Sequence, residues 1–185
     1  RAALGGVDRG NSGVVRRVGA ETVNGLGGEC DKCALTQQAR RLGDGGWGWF
    51  SGNGEVSYAH TTATVVRGLQ IAVKNEIPIV PDVIARGVAW LEQYQNRELL
   101  KLKNGAIKPT PTQPYKSQPD NTDALVFHVL SLADRVNPEM QQFLYEGRQH
   151  LSVYGKSLLA WSTHKAGNVD QTTMLRQNIE QFLSL

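Results

Sequence analysis

Two cysteines three residues apart carry the chemistry that is easiest to name in this sequence. Cys30-Asp31-Lys32-Cys33 has the spacing of half a zinc site. Tetrahedral zinc needs four ligands, however, and the chain has only 2 cysteines, so we predict no metal site and no bound cofactor. A redox dithiol belongs at a helix N-terminus in a thioredoxin-like βαβ unit, which a helical chain does not supply. We therefore expect a disulfide or a pair of free thiols in a loop.

Asp120 and Asp123 form a second candidate site, since two carboxylates at this spacing could hold a metal ion or a diphosphate. They lie at the start of a predicted helix that follows Pro119. An aspartate at the N-cap and another three residues later both accept hydrogen bonds from the free amides there and interact favourably with the helix dipole. We predict that both residues cap the helix.

The elements that position these residues are predicted to be helices. From Ser57 onward, apolar residues recur at steps of three and four, as in amphipathic helices. The pattern predicts a helix through Ala59 and Val73, followed by helices over residues 82–102, 122–136, 138–146, 150–165 and 170–183. The third is apolar almost all round and should be buried on both sides. Four prolines make residues 104–119 an extended loop, and the predicted fold class is all-α, built from antiparallel helix hairpins.

The chain divides into a lead-in and a helical region. Residues 1–43 are rich in glycine, which leaves room for at most one short helix, and residues 44–185 carry the helices. The net charge of +3 is spread over scattered basic residues, so we predict no nucleic-acid partner. No apolar stretch reaches the roughly 18 residues of a membrane span, so we predict none in this chain.

A glycine-rich aromatic loop precedes the first helix. It reads Asp44-Gly45-Gly46-Trp47-Gly48-Trp49, in which the glycines permit a tight turn and the indoles require burial. We predict that this loop, the signature loop, is locked onto the core. Of the tryptophans, Trp47, Trp49, Trp90 and Trp161 are all expected to be core anchors and not platforms that stack on a ligand.

The signature loop and several later segments resemble the thioester-containing domain of alpha-2-macroglobulin-like proteins, especially the bacterial branch. The similar segments occur in the same order and spacing between about Asp44 and Leu183, and they include His60-Thr61-Thr62-Ala63, Asp120-Asn121-Thr122-Asp123-Ala124 and Leu151-Ser152-Val153-Tyr154-Gly155-Lys156. The resemblance implies an α/α toroid like that of terpenoid cyclases, here incomplete. It also implies a non-enzymatic scaffold within an extracytoplasmic protease inhibitor of the periplasm or cell envelope. The implied partners are the other domains of the parent protein and, through it, the trapped proteases.

The reactive group of that family is an intramolecular thioester between Cys and Gln in a Cys-x-x-Gln motif. Here Gln37 lies four residues after Cys33, so we expect the thioester to come from a segment outside this chain. In the family a histidine near the thioester can accept the acyl group. The resemblance makes His60 the thioester-proximal candidate, and a first-turn residue bonded to the backbone is the alternative. We predict that His128 is a core residue.

A second function remains open at this point, because terpenoid cyclases and prenyltransferases share the toroid and its Gly-Gly-Trp-Gly turns. An enzyme of this class is the alternative interpretation. The sequence lacks the Asp-x-Asp-Asp acid and the Asp/Cys/His zinc set of these enzymes, and it contains only one such turn.

Overall fold

Helices are the only regular secondary structure in the described part of the chain. The computed structural model describes residues 42–49, 54–80 and 82–182, which form no strand. The helices are α1 (Ala59–Lys74), α2 (Val83–Ala106), α3 (Asn121–Leu132), α4 (Pro138–Glu146), α5 (Val153–Lys165) and α6 (Val169–Glu180), with a short 3-10 turn at Arg148–His150. The all-α prediction is confirmed. The glycine-rich lead-in up to residue 41, with Cys30, Cys33 and Gln37, lies outside the described residues.

Helix α3 forms the centre of the fold. Every residue from Asp123 to Ser131 is buried, because α3 packs against α1, α2, α4 and α5. Its two sides belong to two apolar clusters. Leu125 and Val129 pack with α1, the first part of α2 and the signature loop, whereas Phe127 belongs to a cluster with the later part of α2 and with α4, α5 and α6. The prediction of a helix buried on both sides is confirmed.

The long helices alternate in direction. The amide of Gln70 in α1 donates to the Val129 carbonyl near the end of α3 at 3.2 Å, and both helices begin at the same cleft, so α1 and α3 run in the same direction. Helix α5 also runs with α3, because Ser152 at its start bonds to Asn121 and its far end bonds to the end of α3.

The helices that follow α1 and α5 in the chain run the opposite way. Glu92 of α2 pairs with Arg135 beyond the end of α3 at 3.7 Å. Glu98, further along α2, lies near the start of α3, because Lys116 binds both Glu98 and Asp123. Helix α6 reverses from α5 through a turn at Gly167, across which Thr163 and Thr172 bond at 3.0 Å. We find in the described residues one row of parallel helices, α1, α3 and α5, with oppositely directed helices packed against it.

Three of the helices end in the same backbone motif. The residues after the C-caps of α1, α3 and α5 are Glu76, Asp134 and Gly167, with φ of 61°, 58° and 74°. Amides beyond each end bond back to carbonyls of the last turn, as Arg135 does to Leu130 at 2.9 Å, which is the Schellman motif. Of these three positions, only position 167 carries glycine, the residue type that adopts this left-handed conformation most readily.

Some predicted boundaries are wrong for identifiable reasons. Helix α3 ends at Leu132 instead of residue 136, because Asp134 adopts the left-handed conformation. Helix α2 begins at Val83 and continues to Ala106, and α5 begins at Val153, since residues 148–150 form the separate 3-10 turn. Residues 107–120 contain no helix, as the prolines predict. Among the described residues, no helix is long and apolar enough to cross a membrane.

Candidate functional site

One carboxylate closes the signature loop and fastens it to α2 and to the segment before α1. Oδ1 of Asp44 accepts hydrogen bonds from the Gly46 amide at 3.0 Å and the Ser57 hydroxyl at 2.7 Å, while Oδ2 accepts from the indole Nε1 of Trp90 in α2 at 2.9 Å. Burial opposes ionisation of Asp44, but these hydrogen bonds outweigh it and lower the pKa of the carboxyl. One side chain therefore closes the loop and ties it to α2.

Trp47 is the apolar anchor of the loop. It is 2% exposed, its backbone amide donates to the Thr62 hydroxyl at 3.0 Å, and its carbonyl accepts from the Tyr58 amide at 3.0 Å. The indole packs against Gly87 so closely that a Cβ there would lie 2.9 Å from the ring and 2.5 Å from Val66. The predicted locking of the loop onto the core is confirmed for this residue.

The prediction that all four tryptophans are core anchors is wrong for two of them. Trp49 is 66% exposed and Trp161 is 59% exposed. The Trp49 amide donates to the Glu55 carboxylate at 3.0 Å, which holds the end of the loop at the surface. Trp161 lies on α5, in which Leu158 and Leu159 are the neighbouring apolar residues that are buried.

Trp49 forms one wall of a cleft of about 520 Å³, which we call the aromatic cleft. Trp49 and Tyr58 contact edge to face at 6.4 Å between ring centroids on one side. Trp90 and Tyr94 of α2 are stacked at 6.0 Å and are nearly parallel on the other. The remaining lining residues are Ser57, Ala59, His60, Arg97, Glu98, Lys101 and Thr122.

The cations of the aromatic cleft differ in their partners. The Arg97 guanidinium lies over the Tyr94 ring at 5.9 Å, and it forms no ion pair with a described residue. Lys101 pairs with Glu98 at 2.6 Å. His60 is exposed in the first turn of α1, and its imidazole forms no hydrogen bond with any residue that the structure describes. Arg97 is thus the positively charged side chain of the cleft that has no anionic partner among the described residues.

A buried ionic cluster lies behind the cleft. The Lys116 ammonium binds Asp123 at 2.6 Å, Asp120 at 2.8 Å and Glu98 at 3.3 Å. Burial opposes the charge of Lys116, but hydrogen bonds to Asp120 and Asp123 outweigh it and raise the pKa of the ammonium. Burial also raises the pKa of the Tyr94 hydroxyl, and the charge of Glu98 adds to this effect. Lys116 thereby joins the loop before α3 to α2.

Asp120 and Asp123 cap α3 as predicted. The Asp120 side chain accepts from the amides of Thr122 and Asp123, and the Asp123 side chain accepts from the Asp120 amide, which completes a capping box. The second oxygen of Asp123 has no hydrogen-bond partner within the described ranges, and burial raises the pKa of this carboxyl. Burial opposes ionisation of Asp120 as well, yet the hydrogen bond from Lys116 leads the interactions that lower its pKa.

His128 is a core residue, as predicted. It is 1% exposed, its Nδ1 lies 3.1 Å from the Ser162 hydroxyl, and its ring meets Trp161 edge to face at 5.7 Å. Burial lowers the pKa of His128 to about 4, and the positive charge of Arg67 adds to this effect. Ser162 donates to the Leu158 carbonyl at 2.9 Å, so this pair belongs to the packing of α3 against α5.

No group of three or more His, Cys, Asp or Glu side chains in the described part of the chain is arranged to hold a metal ion. The chain matches no family model, no curated protein and no solved structure.

Sequence patterns did not predict the aromatic cleft, because Tyr58, Trp90, Tyr94 and Arg97 come together only when α2 packs beside the signature loop. The four-residue step from Lys116 to Asp120 was the one local signal for the ionic cluster.

Proposed function

We propose that this chain is a scaffold segment of the thioester-containing domain of an alpha-2-macroglobulin-like protease inhibitor, and that its helices form an arc of an α/α toroid. In this proposal the thioester comes from a segment outside the chain. The chain positions that segment and contacts the other domains of an extracytoplasmic parent protein, and the parent traps the protease.

The observation that carries the proposal is the alternation of helix direction. A toroid of helix hairpins has an inner row of parallel helices and an outer row that runs the opposite way. The parallel row α1, α3 and α5, with α2 and α6 reversed, has this order. The central helix of the row, α3, is buried on all sides, as an inner helix flanked by two others should be.

Exposed apolar side chains on the outermost helices of the row support the same arrangement. Ile71 and Val73 of α1 are 50% and 51% exposed, and Tyr154 and Trp161 of α5 are 52% and 59% exposed. Exposed apolar surface of this kind commonly marks an interface. Further helices of a ring would cover these two helices, whereas a closed bundle would leave them in water.

The signature loop supplies the second support for the proposal. Its anchors, Asp44 and Trp47, hold the start of α1 in place, so that His60 faces the mouth of the aromatic cleft. A histidine that receives an acyl group must be within bonding reach of the reacting carbonyl and open to solvent on one side. His60 meets the second condition, and its role as the thioester-proximal residue is part of the proposal.

The test of this function compares the chain with its full-length parent. After incubation with methylamine, we expect no mass change in the chain, and we expect the parent to gain one amine and release one thiol. The parent should also form a covalent adduct with a trapped protease. Amine incorporation at Gln37 or Gln38 together with a new Cys33 thiol would refute the external origin of the thioester. Turnover of an isoprenoid diphosphate or a squalene-like substrate by the chain would favour the toroid enzyme instead.

A further inference from the structure

The aromatic cleft has the residue types of a protein recognition site. Trp, Tyr and Arg are the residues that dominate the binding energy of protein interfaces, and the cleft brings together Trp49, Tyr58, Trp90, Tyr94 and Arg97. Its volume of about 520 Å³ is within the range of roughly 300–1,000 Å³ of sites that enclose a ligand. Trp49 and Tyr58 are 66% and 43% exposed, so their rings are accessible to a ligand.

The charged groups of the cleft that lack a partner favour an anionic ligand. Each carboxylate near the cleft already has partners within the protein: Asp44 binds Ser57 and Trp90, Glu55 accepts from the Trp49 amide, and Glu98 binds Lys101 and Lys116. Arg97 has no acceptor among the described residues, although a guanidinium presents five N–H donors. A ligand that enters the cleft therefore meets an unpaired cation beside occupied carboxylates.

The backbone at the cleft adds to this preference. Helix α1 begins here, and no side chain among the described residues caps it. The positive end of the α1 dipole therefore points toward the cleft, whereas Asp120 and Asp123 already occupy the start of α3. The α1 dipole reinforces the attraction that Arg97 exerts on a negative group.

We propose that the aromatic cleft binds an extended protein segment that presents a carboxylate next to an aromatic side chain. The carboxylate pairs with Arg97, and the ring packs between the Trp49–Tyr58 pair and the stacked rings of Trp90 and Tyr94. A cleft of this kind binds such a segment whether or not the chain belongs to a protease trap. His60 lies in the lining of the same cleft, and Asp44 holds Trp90 in its wall, but peptide binding to the cleft is measured without the thioester.

The experiment uses N-acetyl-Phe-Asp-amide as the probe and the complete 185-residue chain labelled with ¹⁵N. The indole Nε1–H signals of Trp49 and Trp90 report binding at the cleft, and the signal of Trp161 on α5 is the internal control. We expect saturable shifts of the first two signals with a Kd on the order of 1 mM, as suits a ligand this small. N-acetyl-Phe-Asn-amide should bind about fivefold more weakly, because it lacks the charge, and N-acetyl-Ala-Asp-amide about tenfold more weakly, because it lacks the ring.

Two variants, each with a matched control variant, locate the interaction. Arg97→Gln should bind the Asp and Asn peptides equally, since the charge-assisted pair is gone, whereas Arg135→Gln, an exposed arginine outside the cleft, should keep the fivefold difference. Trp49→Ala should weaken binding about tenfold, and Trp161→Ala should leave it unchanged. All four positions are exposed, so each variant should retain its fold, which the rest of the ¹⁵N spectrum verifies.

Several outcomes would overturn the proposal. Absence of saturable shifts at Trp49 and Trp90 would show that the cleft is not a site for this ligand. Equal affinity of the unmodified chain for the Asp and Asn peptides would rule out the role of Arg97. If glucuronate shifted the same signals at lower concentration than the peptide, the cleft would be a site for acidic sugars and not for a protein segment.

Discussion

Replacing Trp47 with alanine should lower the free energy of unfolding far more than the same replacement at Trp49. Trp47 is 2% exposed and packs in the cluster formed by α1, α2 and α3, whereas Trp49 is 66% exposed. Removing a buried indole costs about 3–5 kcal/mol, because it loses the transfer free energy of the ring and leaves a cavity. We expect a cost of this size for Trp47→Ala and less than about 1 kcal/mol for Trp49→Ala.

Urea unfolding followed by circular dichroism at 222 nm measures both values. Since domains of this size are stable by only about 5–15 kcal/mol, Trp47→Ala should move the midpoint by more than about 1 M for an m-value of roughly 1–3 kcal/mol/M. The two substituted positions are two residues apart in the same loop, so general effects of tryptophan removal cancel between them. Equal midpoints would refute the anchoring role of Trp47, and with it the argument that the signature loop fixes the start of α1.

Glu76→Gly should stabilise the protein by about 0.5–1 kcal/mol, because Glu76 has φ of 61° at the end of α1; Glu76→Ala should give no gain in the same urea assay. Lys116→Met should cost about 3 kcal/mol at pH 7, because it leaves buried carboxylates without their cation; Lys103→Met, which breaks an exposed pair, should cost under about 1 kcal/mol, and equal costs would contradict the clustering of charge. Because burial lowers the pKa of His128 to about 4, the unfolded state takes up its proton first as the pH falls, and stability should decrease by about 3 kcal/mol between pH 7 and pH 4. His128→Phe should reduce this slope, and an unchanged slope would rule out His128 as its source.

The sequence was most informative where the pattern is local. Alternation of apolar residues at helical spacing indicated each of the helices, and the proline-rich stretch correctly indicated the loop before α3. The capping box of Asp120 and Asp123 could also be predicted, because its geometry depends on the first turn of one helix alone. The position of the signature loop against the core followed from the glycines around Trp47.

Unusual backbone conformations and contacts between separate elements could not be predicted from the sequence. The end of α3 depends on Asp134 in a left-handed conformation that sequence patterns assign to glycine. The exposure of Trp49 and Trp161 depends on which face of each element the rest of the chain covers. The sequence around a tryptophan does not indicate whether its face will be covered. Hydrophobic character alone therefore predicted four core anchors, whereas in the structure Trp47 is buried, Trp90 is half-buried at the wall of the cleft, and Trp49 and Trp161 are exposed.

The same reasoning explains why the candidate site was the least predictable part of the molecule. Arg97 and Trp90 lie seven residues apart on α2, which is two turns of one face, and this spacing is as common in solvated helices as in binding sites. What distinguishes the face is its neighbour: the signature loop brings Trp49 and Tyr58 opposite, and Asp44 holds Trp90 by its indole nitrogen. Asp44, whose three hydrogen bonds are to Gly46, Ser57 and Trp90 within the protein, thus helps to set the separation of the two aromatic walls. Loss of the Asp44 carboxylate would remove the hydrogen bond to the Trp90 indole, and we expect this change to loosen the wall more than the core, because the apolar contacts of Trp47 with α1, α2 and α3 remain.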